Sequence, residues 1–321
     1  MTDESDAKPA AQVELDAQVK PAAKHKKSNA LLNVMIAISA IAMIGALGLI
    51  AYPTFSDWWN RMHQSYAVAG YVEQTKDMSG AERKAMLKAA HEYNERLAAN
   101  GDRWHMTDAQ KREYDETLDV TGTGIMGYVT IPRIKVKLPV YHGTSDGVLQ
   151  IAAGHLAGTS LPVGGATTHA VVSGHTGLPS ARLLTGLDEL KKGDTFAFHV
   201  LDETYTYQVD QISVVLPSEI SKLNIESGAD YATLITCTPY GVNSHRLLVR
   251  GHRIPNPKVP DKTQYDEPGE MTAVAAAVIG LIVFVAGCAF VGLARLWRRS
   301  WIVRHGLCAG AGARHSSGVR G

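Results

Sequence analysis

Two long uncharged apolar runs bracket this chain, and they limit what it can fold into more than any other feature. Ala30 to Tyr52 reads ALLNVMIAISAIAMIGALGLIAY, and Met271 to Ala294 reads MTAVAAAVIGLIVFVAGCAFVGLA. At about 1.5 Å per helical residue, either run can cross roughly 30 Å of hydrocarbon. Lys24, Lys26 and Lys27 precede the first run, and Arg295, Arg298, Arg299 and Arg304 follow the second. Basic flanks stay on the cytoplasmic side, so both termini are expected inside and residues 53 to 270 outside. Trp58 and Trp59 on one side, and Trp297 and Trp301 on the other, fall where interfacial anchors belong. A cleaved signal peptide also pairs basic residues with an apolar run. This run, however, exceeds the usual h-region of about 7 to 15 residues, and no small-x-small cleavage site follows it. A retained anchor is therefore expected.

The remaining chain divides by composition. Residues 1 to 29 are rich in Ala, Lys, Asp and Glu without apolar periodicity and read as a disordered cytoplasmic tail; residues 295 to 321 read as a basic cytoplasmic tail. Residues 53 to 120 read as an extracytoplasmic helical segment. Within them Ser79-Gly-Ala-Glu82 has capping-box spacing, Ala85, Met86, Ala89, Ala90, Tyr93 and Leu97 recur at helical intervals, and Asn100-Gly101 supplies a stop. Residues 121 to 260 are enough for one hydrophobic core. The formal net charge of +1 gives no ground for a nucleic-acid surface or an acidic partner.

From Gly127 onward the pattern is strand and turn. GYVTIPRIKVKLPVYHG alternates Ile131, Ile134, Val136, Leu138 and Val140 with polar or proline positions, and Pro132 and Pro139 confine those places to strand ends or edges. Further strands are expected at 170–173, 195–201, 204–216, 231–236 and 245–254, separated by Gly, Asp, Asn and Pro. Short helical pieces are expected near 142–153, 180–190 and 217–223. Many short strands in one domain of this size favour a mainly β fold closed into a barrel.

Cys237 is the one cysteine between the two apolar runs; Cys288 lies in the second run and Cys308 in the tail beyond it. With no thiol beside it for a disulfide, its sulfur is either a small buried hydrophobe or a reactive group. It follows the strand-like YATLIT and precedes Pro239-Tyr240-Gly241, so it should stand where a strand ends. Arg246 opens the next apolar strand, close enough through a tight loop to favour the thiolate and to steady an oxyanion. His175 lies in VVSGHTGLPSARL between Gly174 and Gly177, which allow close backbone approach and leave the imidazole unshielded. A Cys/His pair drawn from separate strand ends can activate sulfur for acyl transfer.

The runs SGHTGLPSARLLTGLDEL and TLITCTPYGVNSHRLLVRG resemble the histidine and cysteine-arginine motifs of the sortases, membrane-anchored cysteine transpeptidases of Gram-positive bacteria. The form CTPYGVNSHRLLVRG and the two flanking apolar segments are most similar to the class C, pilin-polymerising branch. The resemblance implies a closed eight-stranded β-barrel. It also implies Cys237 as nucleophile, His175 as general acid/base, and Arg246 as the group that binds the sorting peptide and steadies the oxyanion. The implied substrate is a pilin or surface protein carrying an LPxTG-like signal. The implied acceptor is an amine from a pilin lysine or, in housekeeping relatives that anchor proteins to the cell wall, from a wall precursor. No cofactor and no metal are implied.

That branch often carries a lid with an Asp-Pro-aromatic motif. Asp102-Arg103-Trp104 has Asp and Trp at the matching spacing with Arg in place of Pro. If it is a lid, Asp102 is expected to pair with Arg246 and Trp104 to cover the sulfur; otherwise Trp104 simply packs on the barrel. His142, His155, His169, His199, His245 and His252 show no zinc-ligand spacing, Arg250 reads as a supporting charge on the face of Arg246, and Asp188 and Glu189 read as a solvated edge. Were Cys237 inert, the domain would be a non-catalytic, membrane-tethered scaffold for surface proteins.

Overall fold

The computed structural model describes residues 30–258, Thr263, Tyr265 and most of 276–295. The expected tails, Trp297, Trp301, Cys308 and the first residues of the second apolar run lie outside the described residues. Two compact units are present: one comprises residues up to Ile44 and from Ala286 on, the other Gly45–Val285.

Helix α1 runs over Ala30–Asp77, 48 residues, much further than the apolar run that opens it. It is the one described helix long and apolar enough to cross a membrane; the apolar helix at Ile279–Gly292 is shorter. Beyond the apolar run α1 becomes amphipathic and packs on the barrel, with Gln64, Val68, Tyr71 and Thr75 buried. The Tyr71 hydroxyl donates to the Met126 carbonyl (3.2 Å) and accepts from the Leu201 amide (2.7 Å), tying α1 to a barrel strand and to the turn at Leu201. Burial pushes the Tyr71 phenol up to about 12, so it stays protonated and able to donate.

Helix α2, Gly80–Ala99, begins at the expected capping box on Ser79 and Glu82 and buries Ala90, Tyr93, Asn94 and Leu97. Helix α3, Asp108–Glu116, lies within the expected helical segment but beyond the stop at Asn100-Gly101, and Thr107 and Gln110 form a second capping box. With one buried residue, Tyr114, it carries too little apolar periodicity to announce itself.

Eight strands close into a barrel in the order β1-β2-β3-β4-β7-β8-β6-β5. They are β1 Ile125–Ile131, β2 Val136–His142, β3 Ala153–His155, β4 Thr168–Ser173, β5 Thr195–Val200, β6 Glu203–Val215, β7 Asp230–Thr238 and β8 His245–Arg253. The expected helical pieces shrink to a single turn, α4 at Asp146–Leu149, and to 3-10 turns at Leu187–Glu189 and Ser221–Leu223. Strand β3 has three residues and no alternation to reveal it. Pro132 opens the turn after β1, whereas Pro139 sits within β2 opposite Tyr128, where β3 has not yet joined; their pairing begins at Val140.

The barrel is filled by inward side chains, among them Met126, Phe196, Phe198, Tyr207, Leu234 and Val249. Phe196 stacks on Tyr207 with centroids 5.7 Å apart, and Phe198 meets the same ring edge-on. A second, smaller cluster lies outside the wall: Val171 of β4, Ile235 of β7, Leu248 of β8 and Leu223, with Trp104, Leu156 and Val215 packed against them.

Candidate active site

Strands β4, β7 and β8 are neighbours, and each delivers one of the expected residues to the same end of the barrel wall. In the antiparallel β7–β8 pair, Cys237 stands directly opposite Arg246, next to the pair Ile235 and Leu248 two residues further in. Side chains alternate along a strand, so Cys237 shares the outer face with Ile235, and Arg246 shares it with Leu248. Strand β4 lies parallel to β7, its last pair being Ser173 with Ile235, and the Gly174 amide donates to the Ile235 carbonyl at 3.0 Å. His175 is the next residue on one strand and Cys237 is two residues on along the other. Adjacent strand ends thus bring the imidazole, thiol and guanidinium to one edge, all three half-buried.

Glycine makes the approach of the histidine loop possible. A Cβ on Gly174 would lie 2.8 Å from Leu184, and Gly177, at a φ of +73°, would push one into the Tyr240 ring at the same distance. The Gly174 carbonyl accepts from the Thr236 hydroxyl at 2.9 Å, and the Leu184 amide donates to the His175 carbonyl at 3.1 Å. Thr236, next to the cysteine, is buried in the barrel wall and fastens the histidine loop. Tyr240 and Val242, in the loop between β7 and β8, are 71% and 69% exposed, leaving apolar surface at the rim.

Arg246 donates through Nη1 to the carbonyls of Asn243 and His245, both at 3.2 Å. The expected ion pair with Asp102 is not formed: Asp102 bonds His105 Nδ1 at 2.7 Å instead. What fastens that segment is Arg103, the residue in the place of the expected proline. Buried, it donates to the carbonyls of Gly158 (2.9 Å) and Leu223 (3.0 Å) and lies 4.4 Å from the Trp104 ring centroid. Trp104 packs in the outer cluster with Ile235 and Leu248, one same-face pair away from Cys237 and Arg246. Arginine so placed satisfies two buried carbonyls that proline could not reach.

Arg250, His169 and His155 have structural partners. Arg250 forms a fork on Asp210 (3.1 and 3.2 Å) and stacks over Tyr231. His169 bonds the Asn224 carbonyl and the Thr233 hydroxyl beneath the outer cluster, and burial lowers its pKa. Fully buried His155 bonds the Ser160 carbonyl at 2.8 Å and the Tyr114 hydroxyl at 3.0 Å, and its pKa falls to about 4. Among the described residues no cluster of metal ligands is found.

Known proteins share this fold. The sortase-domain family model matches residues 129–254. The crystal structure of sortase C1 from Streptococcus agalactiae is 52% identical, covers 60% of this chain and 100% of its own, and superposes with a TM-score of 0.59. Clostridium perfringens sortase C, solved with the C-terminal cell wall sorting motif, is 40% identical over 60% of this chain and 99% of its own, with a TM-score of 0.53. A curated relative, sortase A of Streptococcus agalactiae, is 30% identical over 36% of this chain, and the match spans 47% of that relative's length. A barrel of this topology, matched across the whole length of solved class C enzymes, places the chain in the sortase family of cysteine transpeptidases.

Proposed function

We propose that this protein is a membrane-anchored transpeptidase of sorting signals, with Cys237 as nucleophile, His175 as general acid/base and Arg246 as the group that orients the peptide and steadies the oxyanion. The observation that carries this reading is the direct cross-strand pairing of Cys237 with Arg246 at the edge where the β4 loop brings His175. The Cys237 sulfur attacks the Thr carbonyl carbon of an LPxTG-like signal. The carbon–nitrogen bond to Gly breaks, and His175 gives its proton to the departing amine. An incoming amine then attacks the thioester, passes a proton to His175 and releases the thiolate. Arg246 faces the negative oxygen formed in both steps.

The amine in this reading is a pilin lysine. The class C character of the solved relatives and the CTPYG form around the nucleophile support that choice over a wall cross-bridge. The rest of the proposed architecture follows from the apolar runs. Residues 1–29 and 295–321 form cytoplasmic tails, 30–52 and 271–294 cross the membrane, and 53–120 with the catalytic barrel at 121–260 lie outside. The test is to supply the protein with a pilin-like domain bearing both an LPxTG signal and an exposed lysine, beside a wall-precursor amine. Covalent multimers linked through lysine are expected; product joined only to the precursor amine would assign the wall-anchoring role, and no product with either would reject the transpeptidase.

A further inference from the structure

The loop that carries His175 is held at its far end by the helix that carries the apolar anchor. The Asn60 side-chain amide donates to the Ser180 carbonyl at 2.8 Å, and the Arg182 amide donates to Asp57 Oδ1 at 2.7 Å. Asp57 lies little more than one helical turn past Tyr52, where the uncharged run ends. Two residues after Arg182, the Leu184 amide grips the His175 carbonyl, and the Gly177 amide donates to the Thr185 hydroxyl at 3.0 Å. Ala181, Leu183 and Leu184 are buried between these two attachments, and Leu178 bridges Ala181 across the loop. The loop therefore has little freedom of its own: its inner end is fixed to β7 and its outer end to α1.

We infer that Asp57 and Asn60 are positioning residues for His175, so that the membrane-anchor helix sets where the imidazole stands relative to Cys237. Neither touches the reacting atoms; they act through the backbone of residues 180–184. A loop tied to a helix more than a hundred residues upstream gives the site a reason to keep α1 helical past the apolar run. The inference rests on the acid/base role proposed for His175, and it is tested with the full-length chain in detergent.

Three variants are compared, Asp57→Ala with Asn60→Ala, Asp57→Ala alone, and Asp57→Asn. Misplacing a catalytic group by about 1 Å costs roughly a hundredfold, so the double variant is expected to lose about ten- to a hundredfold in kcat for transfer of an LPxTG peptide, with KM little changed. Asp57→Asn keeps an oxygen that accepts the Arg182 amide and is expected to recover most of the loss seen in Asp57→Ala. If the charge contact with Arg61 Nε (3.0 Å) were what mattered, Asn would fail as badly as Ala, and the inference would be wrong. Wild-type kcat in the double variant would also overturn it. Amide hydrogen exchange supplies a readout independent of activity: residues 176–186 should exchange faster in the double variant while β7 and β8 do not change. Should the wild-type chain transfer no peptide, the acid/base reading fails, and exchange alone decides whether the brace exists; unchanged protection of that loop would reject it.

Discussion

Cys237, His175 and Arg246 act as a unit in the proposed chemistry, and their replacements should separate by role. Cys237→Ala should abolish acyl transfer with the fold intact, because the nucleophile has no substitute. His175→Ala should lower kcat by about 10²- to 10⁴-fold, the usual contribution of a positioned acid/base. Arg246→Ala should cost about 10²- to 10³-fold, as loss of an oxyanion donor does; steady-state kinetics with an LPxTG peptide checks all three. Away from the site, His155 makes stability depend on pH. Its folded pKa of about 4 lies below the ordinary 6.5, so its neutral form is what the fold requires. The stability it confers is complete above about pH 6.5 and declines as pH falls toward 4. Urea unfolding should show a loss of about 2 kcal/mol between pH 7 and pH 5 that His155→Gln reduces.

At the scale of elements, the segment 101–105 and helix α1 carry the sharpest expectations. Trp104 fills the outer apolar cluster beside the Cys237–Arg246 pair, held there by Arg103. Trp104→Ala should therefore speed alkylation of Cys237 by iodoacetamide several-fold at constant pH; an unchanged rate would mean that the tryptophan merely packs on the barrel. The Tyr71 hydroxyl serves a carbonyl and an amide at once, so Tyr71→Phe leaves two buried backbone groups unpaired. A loss of about 1–3 kcal/mol in unfolding free energy is expected. These contacts also mark where sequence ceased to be informative. The capping box at Ser79 and the alternation in β5 to β8 are local signals, and the elements formed where those signals lie. Helix α3 and strand β3 have one buried residue and three residues respectively, too few to generate a period. The pairing of Asp102 with Arg246 was implied only by the resemblance to a lid motif, and Asp102 instead finds His105 three residues away while Arg103 takes the structural role.

For the molecule as a whole, cysteine, arginine and histidine were legible because each sits at a strand end in a distinctive local run. Their support was not legible. Asp57, Asn60, Tyr71 and Thr236 act through backbone groups far away in sequence, and nothing in their neighbours distinguishes them from ordinary helix or strand residues. The same long-range packing predicts that a soluble fragment must keep the outer part of α1. Residues 53–270 should fold, whereas a fragment starting at 78 would expose the barrel surface that Val68 and Tyr71 cover and should melt several degrees lower by circular dichroism. The most direct trial of the central claim is an intact-mass measurement on the 53–270 fragment mixed with an LPxTG peptide. A thioester adduct of the peptide's N-terminal part, mapped to Cys237 and absent in Cys237→Ala, is the expected result; a reactive wild-type fragment with no adduct at that sulfur, or an adduct that survives the substitution, would contradict it.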